Sequence, residues 1–251
     1  MRSAPEIRRF EIFRPFERYL IHGFSTRKGG VSKPPYHSLN LGLHTGDARQ
    51  AVFENRKRYF DALGISEQRV VYPEQVHSDS IVFAKEPGIV PHCDALVTDQ
   101  AGLYLSIQTA DCFPVFIFDP VHRAVGLVHS GWRGTAQNIV GKTIERFEEH
   151  FDSAPNDLFI AIGPGVQQSC YQVDRVTAQH FSVKFLLPDG RDHFKLDVQG
   201  AITEQILTKG VPSRNIEIDK TCTHCQEDLY YSYRRDGKRS GRMMGIIGLR
   251  E

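Results

Sequence analysis

The chain predicts an α/β protein of the mixed α+β kind, a layered sandwich of mixed β-sheets flanked by helices. Three observations predict it. Short apolar runs bounded by turn residues recur along the chain, several of them spaced as hairpins. Between them lie a few stretches with the three- and four-residue apolar spacing of helices. No strand runs into a Gly-x-Gly-x-x-Gly turn and no Walker-type loop appears, which argues against a doubly wound parallel sheet.

A length of 251 residues allows one large domain or two small ones, and no linker, repeat or low-complexity tract divides the chain. A single catalytic domain over 1–251 is expected. Apolar residues make up 40% and charged residues 24%, ordinary values for a soluble globular protein. The net charge of +1 supplies no field to gather nucleic acid or an anionic membrane. No apolar run approaches the length of a membrane span, and the first ten residues lack the apolar core of a secretory leader. The five cysteines, an odd number, then point to reduced thiols in a cytoplasm.

In chain order, residues 10–24 read as a strand leading into Ser25-Thr26-Arg27-Lys28-Gly29-Gly30-Val31. This loop, with Ser38-Leu39-Asn40-Leu41-Gly42 after it, is either an irregular surface loop or a polar lid presenting Arg27 and Asn40 to a ligand. Val52, Arg56, Tyr59, Phe60 and Leu63 fall at helical spacing, and Gly64 suits the C-terminal cap, predicting a helix over 48–63. Strands follow over 69–72, 79–84, 94–97 and 103–107, with His77 between the first two. Beyond Gly134 the spacing of Ile139, Thr143, Ile144, Phe147 and Phe151 predicts a helix to about His150. Its N-terminus, just past His129 and Arg133, would suit an anion. A strand over 158–162, weaker helices over 174–186 and 198–209 and a strand over 215–219 complete the pattern.

The stretch that organises the rest is 108–134. An apolar run, Phe113 to Phe118, meets Asp119-Pro120-Val121-His122 and then a second run, Ala124 to Val128. Asp followed by Pro favours a type I turn, so the pattern reads as a hairpin. A turn centred between Pro120 and Val121 sets Cys112 opposite His129, where directly paired Cβ atoms lie roughly 4.5–5.5 Å apart. A thiolate and an imidazole at that separation can hold one metal ion. Each residue alone has an ordinary structural reading, Cys112 as a small core residue and His129 as a strand-end histidine. Gln108, Thr109, Asp111, Ser130 and Arg133 crowd the same end, which a plain hairpin core does not require.

Near the C-terminus, Cys222-Thr223-His224-Cys225 invites a zinc or redox reading, yet a structural zinc site needs a second ligand pair and the sequence shows none at suitable spacing. The five basic residues between Arg234 and Arg242 suit either a solvated hairpin tip or a phosphate clamp.

Eight ordered motifs resemble one family over nearly the whole chain. They are GGVS at 29–32, SLNLG at 38–42, EQVH at 74–77, DALVTD at 94–99, TADCFPV at 109–115, VHSGWRGT at 128–135, IGPG at 162–165 and SYRRDGKRSGRM at 232–243. The family is the YfiH type, variously described as laccase-domain polyphenol oxidases, purine nucleoside phosphorylases and peptidoglycan editing factors. Ser78 departs from the glycine that usually follows QVH, a change expected to tune the loop without removing the histidine.

The resemblance implies a metal held by His77, Cys112 and His129. Three protein ligands with an open fourth position are the plan of a catalytic zinc site, although copper could bind the same donors. A trinuclear copper oxidase needs paired histidines, and the eleven here include no His-x-His pair. The leading expectation is therefore a zinc-dependent purine nucleoside phosphorylase. Its substrates would be adenosine and inosine, with methylthioadenosine as a further candidate and adenosine deamination as an accompanying activity. An amidase editing a peptidoglycan precursor and a copper polyphenol oxidase are the alternatives, and a zinc-stabilised binding protein is the non-enzymatic one. Cys112, His77, His129 and Arg133 are assigned to catalysis. Arg27, Asn40, Gln75, Asp111, Arg234 and Arg235 are assigned to nucleoside and phosphate. The protein is expected to act as a monomer.

Overall fold

The computed structural model describes residues 3–251. Among the described residues fifteen strands form: β1 (Ile7–Arg8), β2 (Leu20–Ser25), β3 (Val70–Pro73), β4 (Ile81–Phe83), β5 (Gly88–Val90), β6 (Ala95–Thr98), β7 (Tyr104–Thr109), β8 (Phe113–Asp119), β9 (Ala124–Ser130), β10 (Phe159–Ile162), β11 (Gln172–Asp174), β12 (Leu186–Pro188), β13 (His193–Leu196), β14 (Ile216–Ile218) and β15 (Met243–Leu249). Helices are α1 (Arg49–Leu63), α2 (Trp132–Ala136), α3 (Ile139–Phe151), α4 (Arg175–Ala178), α5 (Val198–Thr208) and α6 (Tyr233–Asp236).

Two six-stranded sheets, ordered β1-β2-β15-β7-β3-β5 and β14-β10-β8-β9-β6-β4, stack face to face, and a small third sheet, β11-β13-β12, lies beside them. Each large sheet mixes parallel and antiparallel pairs, as the fold class required. Between them, Phe24, Leu105 and Ile247 of the first sheet pack with Phe116, Phe118 and Leu127 of the second. The outer face of the second sheet buries Val115 and Ile117 against Ile144 and Phe147 of α3 and Ile202 of α5. α1 covers the outer face of the first sheet with Tyr59 and Phe60. Layering of helix, sheet, sheet and helix explains why β8 is apolar at every position from Phe113 to Phe118: both of its faces are interior.

α1 ends as predicted, with Gly64 in the left-handed region at φ 71°. Residues 10–24 do not form one strand. A 3-10 helix over Glu11–Phe16, containing Pro15, precedes β2. The loop over 25–42 is not a free lid. The buried Asn55 of α1 bonds Val31, Ser38 and Asn40 backbone and fixes the loop to the helix. The helix expected from Gly134 is broken at Asn138, which sits at φ 62°, so α2 is only five residues long. An anion site built on a helix N-terminus is thereby lost. The helix expected over 174–186 contracts to α4 and a later 3-10 turn, because β12 and β13 claim the following residues.

The predicted hairpin forms in a different register. Asp119 pairs with Ala124 and Pro114 with His129, across a four-residue turn in which Arg123 has φ 52°. Asp119 decides this. Its carboxylate accepts the backbone N–H groups of Val121 (2.7 Å) and His122 (3.1 Å) and meets His122 Nδ1 at 2.9 Å, so the side chain caps a longer turn. The two-residue shift preserves which face each residue occupies. Cys112 therefore lies diagonally from His129, one residue ahead of β8, rather than directly across from it.

Candidate active site

The three expected ligands arrive from three connections. His77 lies between β3 and β4, where the chain crosses from one large sheet to the other. Cys112 links β7 to β8, and His129 is near the end of β9. One donor atom from each lies within 4.8 Å of the others. The two imidazoles meet edge to face at 4.9 Å between centroids. Gly131 makes the room: a Cβ there would sit 2.8 Å from the Cys112 sulfur and 3.4 Å from the His77 ring.

Asp94, just before β6, holds this arrangement. Its carboxylate accepts the backbone N–H groups of Val76 (3.2 Å), His77 (3.1 Å) and Ser78 (2.7 Å) and the Ser78 hydroxyl (2.8 Å). Those bonds shape the turn that carries His77 at φ 61°. The same carboxylate meets His129 Nδ1 at 2.7 Å. Nδ1 is thus committed, which leaves Nε2 to face the thiol or an ion. Ser78, the departure from the usual glycine, has joined the carboxylate network and leaves His77 in place.

Electrostatics follow from the packing. Burial pushes the Cys112 thiol up, but the neighbouring His129 and His77 outweigh it and bring it down to about 6. Burial lowers His129, while the Cys112 thiolate and the Asp94 carboxylate raise it further, to about 9. Asp94 is disfavoured as an anion by burial, yet the bonds from His129 and Ser78 hold it at about 2. Hydrogen bonding and opposite charge have overcome desolvation at all three positions. The site favours a thiolate, and a thiolate with two imidazoles suits zinc or a similar borderline metal. The donor set fits the implied metal.

These groups open onto a cleft of about 1350 Å³ between the ends of the two large sheets. Gln75 lines it, but both ends of its amide bond the backbone of Gln108, at 2.8 Å each, extending the β3–β7 ladder past its last strand pair. Asp111 lines it and is likewise committed, accepting the Thr223 hydroxyl and the Arg234 backbone N–H at 2.7 Å each. Arg133 stacks on Trp132 at 4.3 Å and Arg234 on Tyr171 at 5.0 Å, and both line the cleft. Arg242, which also lines the cleft, is steadied by the carbonyls of Ser240 and Gly241. Among the described residues none of these three guanidiniums pairs with a carboxylate.

Three expected substrate contacts lie elsewhere. Arg27 bonds the carbonyls of His37 and Glu227 and stacks on Tyr231, pinning its own loop. Asn40 is buried, joined to Thr45 and Asp47, and its oxygen accepts the backbone N–H of Arg242, so it positions that arginine from behind. Arg235 bonds the carbonyls of Thr223, His224 and Tyr230 together with Asp236, outside the cleft. The basic segment is not a hairpin tip. It forms α6 and a 3-10 turn, and sends Arg234 and Arg242 into the cleft while Arg235 braces the scaffold. Sequence reasoning missed Asp94 as an organiser and Trp132 and Tyr171 as walls. The one available signal for Asp94 was a carboxylate set directly before an apolar strand and after a histidine-bearing turn.

The chain is similar to known proteins along nearly all of its length. The family model described as multi-copper polyphenol oxidoreductase laccase matches residues 21–250. Purine nucleoside phosphorylase YlmD of Geobacillus stearothermophilus is 38% identical over 250 residues, covering 92% of this chain and 90% of its own. Purine nucleoside phosphorylase YfiH of Escherichia coli is 33% identical over 233 residues, covering 90% and 92%. Among solved structures, a hypothetical protein YfiH of Bacillus licheniformis superposes with a TM-score of 0.93 at 32% identity, covering 100% of this chain and 98% of that one.

Proposed function

The chain belongs to the multi-copper polyphenol oxidoreductase laccase family, and from that premise we propose that it is a zinc-dependent purine nucleoside phosphorylase acting on adenosine and inosine. Methylthioadenosine is a further candidate substrate, and adenosine deamination an accompanying activity. The observation that carries the reading is a single cleft holding both the His77-Cys112-His129 set and three arginines unpaired with carboxylates among the described residues.

In phosphorolysis a phosphate oxygen bonds to ribose C1′, the bond from C1′ to the purine nitrogen breaks, and the base leaves with that electron pair and takes up a proton. Arg133, Arg234 and Arg242 supply planar forks that suit a phosphate. Tyr171 and Trp132, each under a guanidinium, offer flat walls for a purine. Asp111 fixes the backbone of Arg234, and Gln75 fixes the cleft floor beside His77. Zinc held by His77, Cys112 and His129 would supply a Lewis acid and a bound hydroxide near neutral pH.

The reading calls only on residues of one chain and on small-molecule substrates. All five cysteines are free thiols, which suits a reducing cytoplasm. Among the described residues no helix is long and apolar enough to cross a membrane. The whole chain acts as one catalytic domain, because both sheets contribute to a single interior and to the cleft.

One feature favours a second reading, an amidase acting on a muramyl amino-acid precursor. Cys112, His129 and Asp94 form a thiol, base and orienting carboxylate in the order a cysteine hydrolase uses. A copper oxidase fits less well. Among the described residues only two clusters of three potential ligands exist, which is too few for a mononuclear plus a trinuclear centre. The deciding experiment incubates purified protein with adenosine or inosine, with and without phosphate, and follows products by chromatography. Base release that requires phosphate and saturates with it is expected. Base release that does not depend on phosphate, or no turnover of nucleosides alongside cleavage of the muramyl precursor, would transfer the assignment to the amidase.

A further inference from the structure

A second set of soft donors lies outside the catalytic cluster. Cys170, at the end of a 3-10 turn over Gln168–Cys170, meets Cys225 with the two sulfurs 3.2 Å apart. His224 completes a group whose donor atoms all lie within 4.8 Å of one another. Cys222 opens the same turn, outside that group of three, and its sulfur accepts the backbone N–H of Gln167 at 3.4 Å. Sequence alone offered Cys222 and Cys225 without partners. The fold supplies one from more than fifty residues upstream, by pairing Gly165 with Cys222 and bonding Thr223 N–H to the Gly165 carbonyl.

We propose that Cys170, Cys222, Cys225 and His224 form a structural metal site for zinc or a chemically similar divalent ion, separate from the catalytic cluster. Three thiolates and one imidazole are a donor set that zinc takes in closed, four-coordinate sites. The backbone N–H of Gln167 aimed at the Cys222 sulfur favours a thiolate, the form a metal needs. Binding releases the thiol protons to solvent and forms metal–sulfur bonds, with no oxidant or reductant involved.

The location gives such a site a purpose. Cys170 precedes Tyr171, a wall of the cleft, and Thr223 donates to Asp111, the neighbour of Cys112. A metal joining Cys170 to the Cys222–Cys225 turn would fasten that wall to the turn behind the catalytic cluster. Arg235 already braces the turn through the carbonyls of Thr223 and His224.

The inference stands apart from the phosphorylase reading and is tested without an activity assay. The full chain is reduced with a phosphine, loaded with zinc, desalted and measured by elemental mass spectrometry. About two zinc ions per chain are expected, falling to about one in Cys170→Ser/Cys225→Ser and to about one in Cys112→Ala. Cobalt loaded into Cys112→Ala should show thiolate-to-cobalt charge-transfer absorption that vanishes when Cys170 and Cys225 are also replaced. If Cys112→Ala does not fold, His77→Ala serves in its place. A wild-type zinc content unchanged by Cys170→Ser/Cys225→Ser would overturn the proposal. So would a zinc-treated chain that carries a Cys170–Cys225 disulfide and no metal there. Loss of zinc on Cys112→Ala but not on Cys170→Ser/Cys225→Ser would strike this site alone and leave the catalytic one standing.

Discussion

The two clusters of sulfur and imidazole use similar donors in opposite settings. His77, Cys112 and His129 converge from three connections, with His129 only 3% exposed and a buried carboxylate behind it. Cys170, His224 and Cys225 come from one turn and one short 3-10 segment, and Cys225 is exposed. Among the described residues no hydrogen bond reaches the His224 ring. The first cluster faces a cleft, whereas the second lies at a turn with an exposed cysteine. Ligand type is therefore a poor guide to role. What separates a reactive centre from a fastening is the orienting shell and the open side.

The sharpest way to break this contrast is to remove the catalytic thiol. Cys112→Ala should abolish metal at the first cluster and lower phosphorolysis roughly a thousandfold, since a Lewis acid contributes several kcal/mol to a transition state. Cys170→Ser should leave most turnover intact. Elemental analysis and phosphate-dependent base release on both variants provide the check. Comparable loss of activity in the two would erase the distinction.

The orienting shell is the next target. Asp94→Asn keeps shape but weakens the hold on His129 and on the backbone of His77 and Ser78. Metal affinity at the first cluster should fall about 10–100-fold, the usual cost of losing such a partner. Competition with a chromogenic chelator measures it, and an unchanged affinity would show that the carboxylate only shapes the turn.

That same residue marks where sequence reading stops. The apolar run of β8 was legible because it is buried on both faces, and its pairing with β9 because a turn signal separates two such runs. Register was not legible, because the Asp119 side chain extends the turn by competing for backbone N–H groups. β15, the strand between β2 and β7, escaped notice since Gly245 and Gly248 dilute its apolar pattern behind a basic segment. Cys112 and His129 could be placed on one face from local spacing, though not directly opposite each other, whereas Cys170 could not be joined to Cys225 by any local rule. Asp94 resembled a residue at the edge of a turn. Its five bonds exist only once β6 lies beside β9 and the His77 turn folds over it.

Acid should empty both clusters, since metal binding needs thiolate and neutral imidazole, so the acid sensitivity of the fold itself must be separated from that of the metal sites. His22 supplies it. Burial, reinforced by the Arg9 guanidinium, pushes this imidazole down to about 3, and its ring lies against Phe10 and Phe13. Because the folded value is depressed, the unfolded state binds more protons below the ordinary value of 6.5. Stability is therefore complete above that value and is lost as pH falls from it towards 3. At pH 5 the loss is about 2 kcal/mol, at 1.36 kcal/mol per pH unit. His22→Gln should flatten that part of the stability curve, measured by denaturant titration of metal-free protein. A slope equal to that of the wild type would place the acid sensitivity elsewhere.

The smallest expected effect tests whether the two regions communicate. Thr223 lies within the Cys222–Cys225 turn, fully buried, and its hydroxyl donates to Asp111 at 2.7 Å. Asp111 in turn receives the backbone N–H of Arg234, one of the three guanidiniums of the cleft. Thr223→Val keeps the volume and removes the donor, leaving a carboxylate oxygen short of a partner at a cost of about 1–3 kcal/mol. Part of that cost should appear in the placement of Arg234, as a rise in the phosphate KM of a few fold with kcat and metal content nearly unchanged. Arg234→Ala should raise the phosphate KM by a larger factor, about tenfold, and the double variant should fall short of the product of the two, because both act on one contact. If Thr223→Val leaves KM untouched while lowering stability, the hydroxyl serves the scaffold alone. A full multiplicative effect in the double variant would show that Thr223 reaches the cleft by some route other than Asp111 and Arg234.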